Sequence, residues 1–154
     1  MDLNRVIGKH GMLPWKPMSE DLRWFKHFTM GKTVLMGRTT YEGMPQLKGR
    51  KICVVTSNAL TAFKNNNTKN ELYACSPLHI TQLVLTNPSD WEDAIVAGGA
   101  KTYKLLLPYC TDLYMTHVLD EYEGDTYMPP FEYGFPNQTI IHECKEFWVV
   151  RYYK

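Results

Sequence analysis

The chain has 154 residues, 17 Lys and Arg against 16 Asp and Glu, a formal net charge of +1 and 44% hydrophobic residues. That length suits one domain with a sizeable core, and we expect residues 1–154 to form it. The near-neutral charge gives no reason to expect nucleic acid or an anionic membrane as a partner, and no apolar run is long enough to cross a bilayer. The N-terminal segment lacks the apolar core of a signal peptide, so we expect a cytoplasmic protein.

The cysteines predict neither a metal site nor a redox dithiol. We identify no CxxC pattern and no clustering with histidine among the four of them, which are Cys53, Cys75, Cys110 and Cys144. Widely spaced cysteines without a partner motif are typical of reduced thiols in a cytosolic protein. We therefore expect no metal.

The first predicted helix covers Glu20–Thr29 and carries one carboxylate on an aromatic face. Four residues at i, i+3, i+4 and i+7 share that face: Asp21, Trp24, Phe25 and Phe28. Because an ionised carboxylate in apolar surroundings is costly, such a group is usually partnered, protonated or functional. A carboxyl group there is suited to delivering protons near neutral pH. The alternative is that Asp21 only stabilises the helix N-terminus, with Ser19 as the N-cap.

Strands and helices are predicted to alternate along the rest of the chain. Apolar, β-branched runs predict strands over Thr33–Met36, Ile52–Thr56, Ala94–Ala97 and Leu113–Val118. Helices are predicted over Thr39–Gly43, Leu78–Thr86 and Ala100–Leu107. The polar stretch Lys64–Asn70 predicts a surface loop, and the two segments Thr139–Cys144 and Phe147–Tyr153 predict an antiparallel hairpin at one sheet edge. This order is typical of an α/β domain with a mostly parallel, twisted central sheet flanked by helices.

Two predicted strands end in glycine directly before a helix. The first junction reads Gly37-Arg38-Thr39-Thr40 and the second reads Gly98-Gly99-Ala100. Ligands of open α/β sheets bind beyond the carboxyl ends of the strands, where glycine lets the backbone approach and a helix N-terminus offers N–H groups to phosphate. An arginine and two hydroxyls at the first junction suit a phosphate group. The pattern is neither GxGxxG nor a P-loop, so it predicts an anionic nucleotide outside a standard Rossmann domain.

The ordered set of motifs resembles the dihydrofolate reductase family over nearly the whole chain. The segments that carry the resemblance are Asn4–Gly8, Leu13–Trp15, Asp21–Phe25, Val34–Glu42, Leu47–Lys51, Ala97–Tyr103 and Glu123–Thr126. The resemblance implies an enzyme that transfers a hydride from NADPH to 7,8-dihydrofolate. It also implies antifolates as inhibitors and a monomeric state.

The resemblance implies a role for each matching position. Asp21 would promote protonation of the pterin N5, Thr116 would support that carboxylate, and Trp15 would cover the active site on a mobile loop. Substrate contacts are implied for Phe25, Met44, Leu47 and Arg50, with Arg50 on the glutamyl carboxylate. Cofactor contacts are implied for Arg38, Thr39, Thr40, Thr56, Ser57, Gly98, Gly99, Ala100, Lys101 and Tyr103.

The family's first apolar strand has no counterpart ahead of Asn4–Gly8, so we expect it to be absent. Its loss would expose two rows of ladder groups or force the flanking strands together. Two alternatives stay open: a reductase of the same fold acting on a pterin or a ribosylamino-pyrimidine, and a non-catalytic folate-binding, nucleotide-binding or structural protein. Arg50 and the helix with Asp21 favour folate, whereas the missing strand favours the non-catalytic alternative.

Overall fold

The computed structural model describes residues 1–58 and 72–154. The strands are β1 Val6–Gly8, β2 Thr33–Gly37, β3 Lys51–Val55, β4 Leu72–Cys75, β5 Ile95–Val96, β6 Asp112–Val118, β7 Thr126–Tyr127, β8 Asn137–Glu143 and β9 Phe147–Tyr153. The helices are α1 Ser19–Thr29, α2 Arg38–Gly43, α3 Pro77–Thr86 and α4 Ala100–Leu106, with 3-10 turns at Pro88–Trp91, Leu107–Tyr109 and Glu132–Gly134. None of the helices in these ranges is long and apolar enough to cross a membrane. The predicted loop Lys64–Asn70 lies outside the described residues.

The predicted helices and strands are present with small shifts at their ends. Three strands were missed by the sequence patterns, namely β1, β4 and β7. β1 has three residues, β7 has two, and in the described part of the chain they pair only with each other. Strands this short contain too few residues to show a periodic pattern in the sequence. β4 has four residues and is aligned by its parallel pairing with β3.

Four parallel strands form one sheet in the order β4-β3-β2-β5. Its two central strands are apolar on both faces, because helices and loops cover both sides of a parallel sheet. On one face Leu35 and Cys53 pack with Ile80 of α3 and Leu106 of α4. On the other face the buried side chains Val34, Met36, Ile52 and Val54 pack with Tyr41, Met44 and Leu47. The core thus fixes the carboxyl ends of β2, β3 and β5 along one edge.

The C-terminal hairpin pairs with β6 instead of extending the parallel sheet. Its strands form a separate antiparallel sheet in the order β6-β9-β8. The register of β8 against β9 shifts between Ile140 and His142, which marks a β-bulge. A bulge re-aims the side chains that follow it.

The single central sheet predicted from the sequence is divided between β5 and β6. Among residues 1–58 and 72–154, β5 pairs only with β2, and β6 pairs only with β9. Met1 hydrogen-bonds to β6, where its amine donates to the Thr116 carbonyl at 2.5 Å and its carbonyl accepts from the Val118 N–H at 2.9 Å. The expected fold class is confirmed as α/β with parallel and antiparallel strands, and among the described residues these strands form separate sheets.

Candidate active site

Asp21 lies in the first turn of α1 and contacts β6. The Thr116 hydroxyl donates a hydrogen bond to Asp21 Oδ1 at 2.6 Å, across 95 positions of sequence. Both residues are half-buried, so the carboxylate is partnered and remains accessible from one side. The structure therefore places Thr116 where the resemblance required it.

The aromatic face of α1 is only half-buried. Trp24, Phe25 and Phe28 all keep partial exposure, and Thr29 is the only buried residue of the helix. Phe28 packs against Tyr114 of β6 with ring centroids 4.4 Å apart. The expectation of a buried face is thus met only in part. Ser19 is also not the N-cap, since Met18 occupies that position without a side-chain hydrogen bond.

Arg50 is a buried cation at the far end of α1. Its side chain is 8% exposed, donates from Nη1 to the Thr29 hydroxyl at 3.1 Å and from Nε to the Lys48 carbonyl at 3.2 Å. Burial lowers the pKa of its guanidinium. No carboxylate among the described residues pairs with it, so this charge is available to an acidic ligand.

The apolar residues assigned to the substrate lie on either side of this region. Phe25 is on α1, one turn before Thr29, and its carbonyl accepts the Thr29 hydroxyl at 2.7 Å. Met44 and Leu47 follow α2 and pack against the buried face of β2 and β3. All three keep partial exposure, which suits side chains that flank a flat ring.

The glycine junctions meet at the carboxyl edge of the parallel sheet. The Gly37 N–H donates to the Gly98 carbonyl at 2.7 Å, and the peptide bond between Gly98 and Gly99 is cis. Val55 pairs in register with Gly37, so Thr56 follows at the same edge. The structure therefore brings together two junctions that are 61 residues apart in the chain.

A side chain at these glycines would be either crowded by neighbours or strained in its backbone conformation. A Cβ atom on Gly37 would lie 3.0 Å from the Thr102 hydroxyl, and one on Gly99 would lie 3.1 Å from the Thr40 hydroxyl. Gly98 has a φ of +106°, which L side chains rarely adopt, and it faces Tyr103. Burial raises the pKa of Tyr103 to about 12, so its phenol stays protonated near neutral pH. Bare backbone and hydroxyls thus form a cradle that suits a phosphorylated ligand.

The charged and polar residues at this edge differ in exposure. Arg38 begins α2 and is half-exposed, with Nε 3.8 Å from Glu42 Oε1. Thr40 is half-buried and Thr56 is buried. The remaining assigned residues, Thr39, Ser57 and Lys101, are exposed, and Ala100 is the half-buried first residue of α4.

Trp15 is anchored in the segment between β1 and α1. Its side chain is 9% exposed and its ring meets Tyr122 edge-on, with centroids 5.7 Å apart. The same segment crosses the end of α2, where a Cβ on Gly43 would lie 2.8 Å from the Gly11 carbonyl. The segment between β1 and α1 therefore contacts both the end of α2 and the segment that carries Tyr122.

Two acidic residues position this loop, and the sequence analysis assigned neither of them. Asp2 is 2% exposed, and its carboxylate accepts the N–H groups of Asn4 at 2.9 Å, Val6 at 2.7 Å and Tyr122 at 2.8 Å. Asp125 accepts the N–H of His10 at 2.9 Å. This hydrogen bond, together with a second one from the Thr126 hydroxyl, lowers the pKa of the Asp125 carboxyl. The only sequence signal for these two acidic residues was the motif Glu123–Thr126, whose last residue, Thr126, begins β7 and pairs with β1.

The observation that no cysteine clusters with histidine is wrong. His142 lies two residues before Cys144, and the fold brings both beside Glu20 of α1. The signal for the pair is their two-residue spacing, which places both side chains on one face of a strand. Within the described ranges, these three residues form a group whose ligand atoms all lie within 4.8 Å of one another.

Comparisons with known proteins identify the family of this chain. A family model described as dihydrofolate reductase matches residues 1–145. The chain is 39% identical to dihydrofolate reductase of Bacillus subtilis strain 168 over 133 residues, which is 86% of this chain and 73% of that protein. It is 35% identical to dihydrofolate reductase of Enterococcus faecium over 145 residues, 92% of this chain and 80% of that protein.

A solved structure gives the same result. Dihydrofolate reductase from Enterococcus faecalis, complexed with NADP(H) and RAB-propyl, superposes with a TM-score of 0.72 at 26% identity, covering 99% of this chain and 90% of that chain. The contact between Asp21 and Thr116, the glycine cradle and the anchored Trp15 segment all belong to the region that the family model covers. From its sequence motifs, its site geometry and these matches, the chain belongs to the dihydrofolate reductase family.

Proposed function

We propose that this chain reduces 7,8-dihydrofolate to tetrahydrofolate with NADPH. The observation that carries the proposal is the hydrogen bond between Thr116 and Asp21, because it holds a half-buried carboxylate at the end of an aromatic helix face. The two relatives at 39% and 35% identity are both dihydrofolate reductases. A reductase of another pterin or of a ribosylamino-pyrimidine is therefore not favoured. The decisive measurement is NADPH oxidation by this chain with dihydrofolate as the substrate.

The substrate would lie along α1. Asp21 binds the pterin ring and promotes protonation at N5, while Thr116 orients the carboxylate. Phe25, Met44 and Leu47 flank the flat portions of the substrate, and Arg50 binds the glutamyl carboxylate at the other end of the helix. The same surface is the proposed site of antifolates.

NADPH supplies the hydride, and the residues present fit this cofactor. A Cβ would be crowded at Gly37 and Gly99 and strained in backbone conformation at Gly98, so bare backbone at this cradle suits close approach of a pyrophosphate. Arg38, Thr39 and Thr40 open α2 after the first junction, Thr56 and Ser57 follow β3 at the same edge, and Ala100 and Lys101 open α4, with Tyr103 against Gly98. Trp15 and its loop exclude water from the reacting groups.

We also propose a cytoplasmic, monomeric enzyme that binds neither nucleic acid nor membrane. All four cysteines are free thiols, which is typical of a reducing compartment. Burial raises the pKa of the Cys53 thiol to about 12, so this group stays protonated and unreactive. Gel filtration with light scattering measures the oligomeric state directly.

Replacing Arg50 with Gln should weaken dihydrofolate much more than a dihydropterin that lacks the glutamyl group. A charge-assisted hydrogen bond contributes roughly 1.5–3 kcal/mol, so KM for dihydrofolate should rise about 10- to 100-fold. Steady-state kinetics with both substrates measure the difference. Lys48→Gln, which removes an exposed cation from the same segment, is the matched control and should leave both KM values unchanged. An equal rise in KM for both substrates would show that Arg50 stabilises the fold and does not bind the glutamyl group. The alternative of a pterin reductase would then be open again.

Replacing Arg38 with Ala should weaken NADPH much more than NADH. Arg38 is the cation nearest the first glycine junction, and loss of its contact with the 2′-phosphate should cost NADPH about 10- to 100-fold in affinity. Cofactor titrations followed by fluorescence give both dissociation constants. Glu42→Gln removes only the ion pair of Arg38 and should retain the preference for NADPH. If NADH weakens as much as NADPH, Arg38 binds the shared pyrophosphate instead.

A further inference from the structure

We propose that Glu20, His142 and Cys144 form a binding site for a zinc-class divalent cation, here named the Glu–His–Cys cluster. Glu20 lies in the first turn of α1, His142 lies near the end of β8, and Cys144 begins the turn to β9. The three ligand atoms lie within 4.8 Å of one another, and all three residues are half-buried. This proposal is independent of the reductase activity.

The His142 ring nitrogen is the strongest single indication. Its Nε2 atom is buried and has no hydrogen-bond partner in the described part of the chain. It lies 2.9 Å from Glu20 Oε1, but the two groups are not oriented as a hydrogen bond. A buried ring nitrogen without a partner is costly, and a neutral imidazole nitrogen is the commonest metal ligand.

Strand alternation explains why His142 and Cys144 point the same way, and the β-bulge before His142 sets which face that is. The register shift between Ile140 and His142 reverses the alternation of the strand, so His142 faces α1. Cys144 is two positions further on and lies on the same face, while Glu143 between them is exposed. Local sequence spacing thus supplies two ligands, and the packing of α1 on the sheet supplies the third.

Both ligands from the hairpin rest on a rigid support. The His142 ring packs against the Phe147 ring with centroids 5.7 Å apart, and Phe147 is 0% exposed. The Cys144 thiol donates to the Phe147 carbonyl at 3.3 Å, and the Cys144 N–H donates to the same carbonyl at 3.0 Å. Ligands that are already held in place lose little entropy when a metal binds.

The donor set selects the class of metal. One nitrogen, one sulfur and one carboxylate oxygen suit tetrahedral zinc, which takes three protein ligands and a water at open sites. Tetrahedral coordination requires ligand atoms about 3.3–3.8 Å apart. Atoms that lie as far as 4.8 Å apart must therefore approach by about 1 Å, whereas His142 Nε2 and Glu20 Oε1, now 2.9 Å apart, must separate by about 0.5 Å. Glu20 supplies that adjustment, since its side chain is 46% exposed and lines a solvent-open depression with Arg23, Trp24 and His27. On coordination Cys144 releases its thiol proton to solvent.

The test is a titration of the purified chain with Co²⁺, which reports cysteine ligation through a thiolate-to-cobalt charge-transfer absorption. We expect one Co²⁺ per chain, an absorption band displaced by Zn²⁺, and a rise of roughly 5–10 °C in Tm with Zn²⁺ at about a hundredfold excess over Kd. Cys144→Ser should abolish the band and Cys110→Ser should retain it. His142→Gln should lose the rise in Tm and His27→Gln should retain it.

A variant of an exposed ligand keeps the test independent of folding defects. Glu20→Gln lies on the half-exposed side of α1, and loss of this ligand should weaken Co²⁺ binding by about tenfold or more while the thiolate band survives. No band with millimolar Co²⁺ would overturn the proposal and leave the contact between Glu20 and His142 as an ion pair. A band that persists in Cys144→Ser, or one that disappears in Cys110→Ser or His27→Gln, would also overturn it.

Discussion

Asp21→Asn is expected to remove most turnover of dihydrofolate at neutral pH and to leave the fold nearly intact. The amide keeps the size of the side chain, and its oxygen can still accept the Thr116 hydroxyl that now lies 2.6 Å from Asp21 Oδ1. It cannot promote protonation, and the loss of a positioned acid or base typically costs about 10²- to 10⁴-fold. Steady-state rates from pH 6 to 8, with thermal unfolding of the same samples, measure both effects.

The pH dependence of the residual rate sharpens this test. If solvent is the only remaining proton source, the rate of Asp21→Asn should rise as the pH falls, because protonation then follows the bulk proton concentration. Asp90→Asn, an exposed substitution in the 3-10 turn after α3, is the matched control and should keep the parent rate. Turnover by Asp21→Asn at the parent rate across this range would show that the assigned role is wrong.

The second large effect concerns the divided sheet. Adding an apolar strand of about seven residues, a common strand length, ahead of Met1 should raise both Tm and activity. Such a strand would pair with the outer edge of β5, which has no strand partner in the described part of the chain, and would continue along β6, where Met1 already hydrogen-bonds Thr116 and Val118. Each buried aliphatic side chain contributes roughly 1.5–3 kcal/mol, so a rise of about 10 °C or more in Tm is expected.

A polar Gly-Ser extension of the same length is the control for the added strand. It lengthens the chain without apolar side chains and should leave Tm and activity unchanged. Thermal unfolding and NADPH oxidation are measured for the 154-residue chain and both extended versions. If the 154-residue chain has the same Tm and the same activity as the version with the apolar extension, our account of the divided sheet is contradicted.

The Met1 amine adds a pH signature to the same experiment. Burial lowers its pKa from 8.0 to about 6, while the nearby carboxylates Asp21 and Asp2 oppose that shift. Between pH 8 and 6 the unfolded state therefore holds more protons than the folded state, and the free energy of unfolding falls as the pH drops through this window. Extension replaces the amine with a peptide group, so the advantage of the extended chain should grow from pH 8 to pH 6.

Local patterns placed several of the candidate site residues on shared faces and strand ends. Spacing on α1 placed Asp21 on the same face as Phe25, because side chains three and four positions apart share a helix face. Strand alternation turns His117 away from Thr116, and its Nε2 lies 2.9 Å from the Tyr152 hydroxyl. The glycine junctions were predicted to reach a ligand from strand ends, and both lie at one sheet edge.

Contacts between distant segments could not be predicted in the same way. The burial of Arg50 depends on Thr29 at the end of α1, so its sequence position after Gly49 suited a solvated turn equally well. The role of Asp2 depends on Tyr122, 120 positions away. Periodicity carries no information about such pairs, because it describes which face a residue occupies and not what covers that face.

The sequence by itself determined the family, the order of helices and strands, and the residue types available for chemistry. The order of the motifs and the periodicities of helices and strands can be predicted from the amino-acid sequence, because each depends only on residues that are close together in the chain. Only the tertiary structure decided that Arg50 is buried against Thr29, that the sheet is divided between β5 and β6, and that Glu20 meets His142 and Cys144. The physical reason is that these arrangements depend on how separate elements pack, and packing is set by the whole core at once.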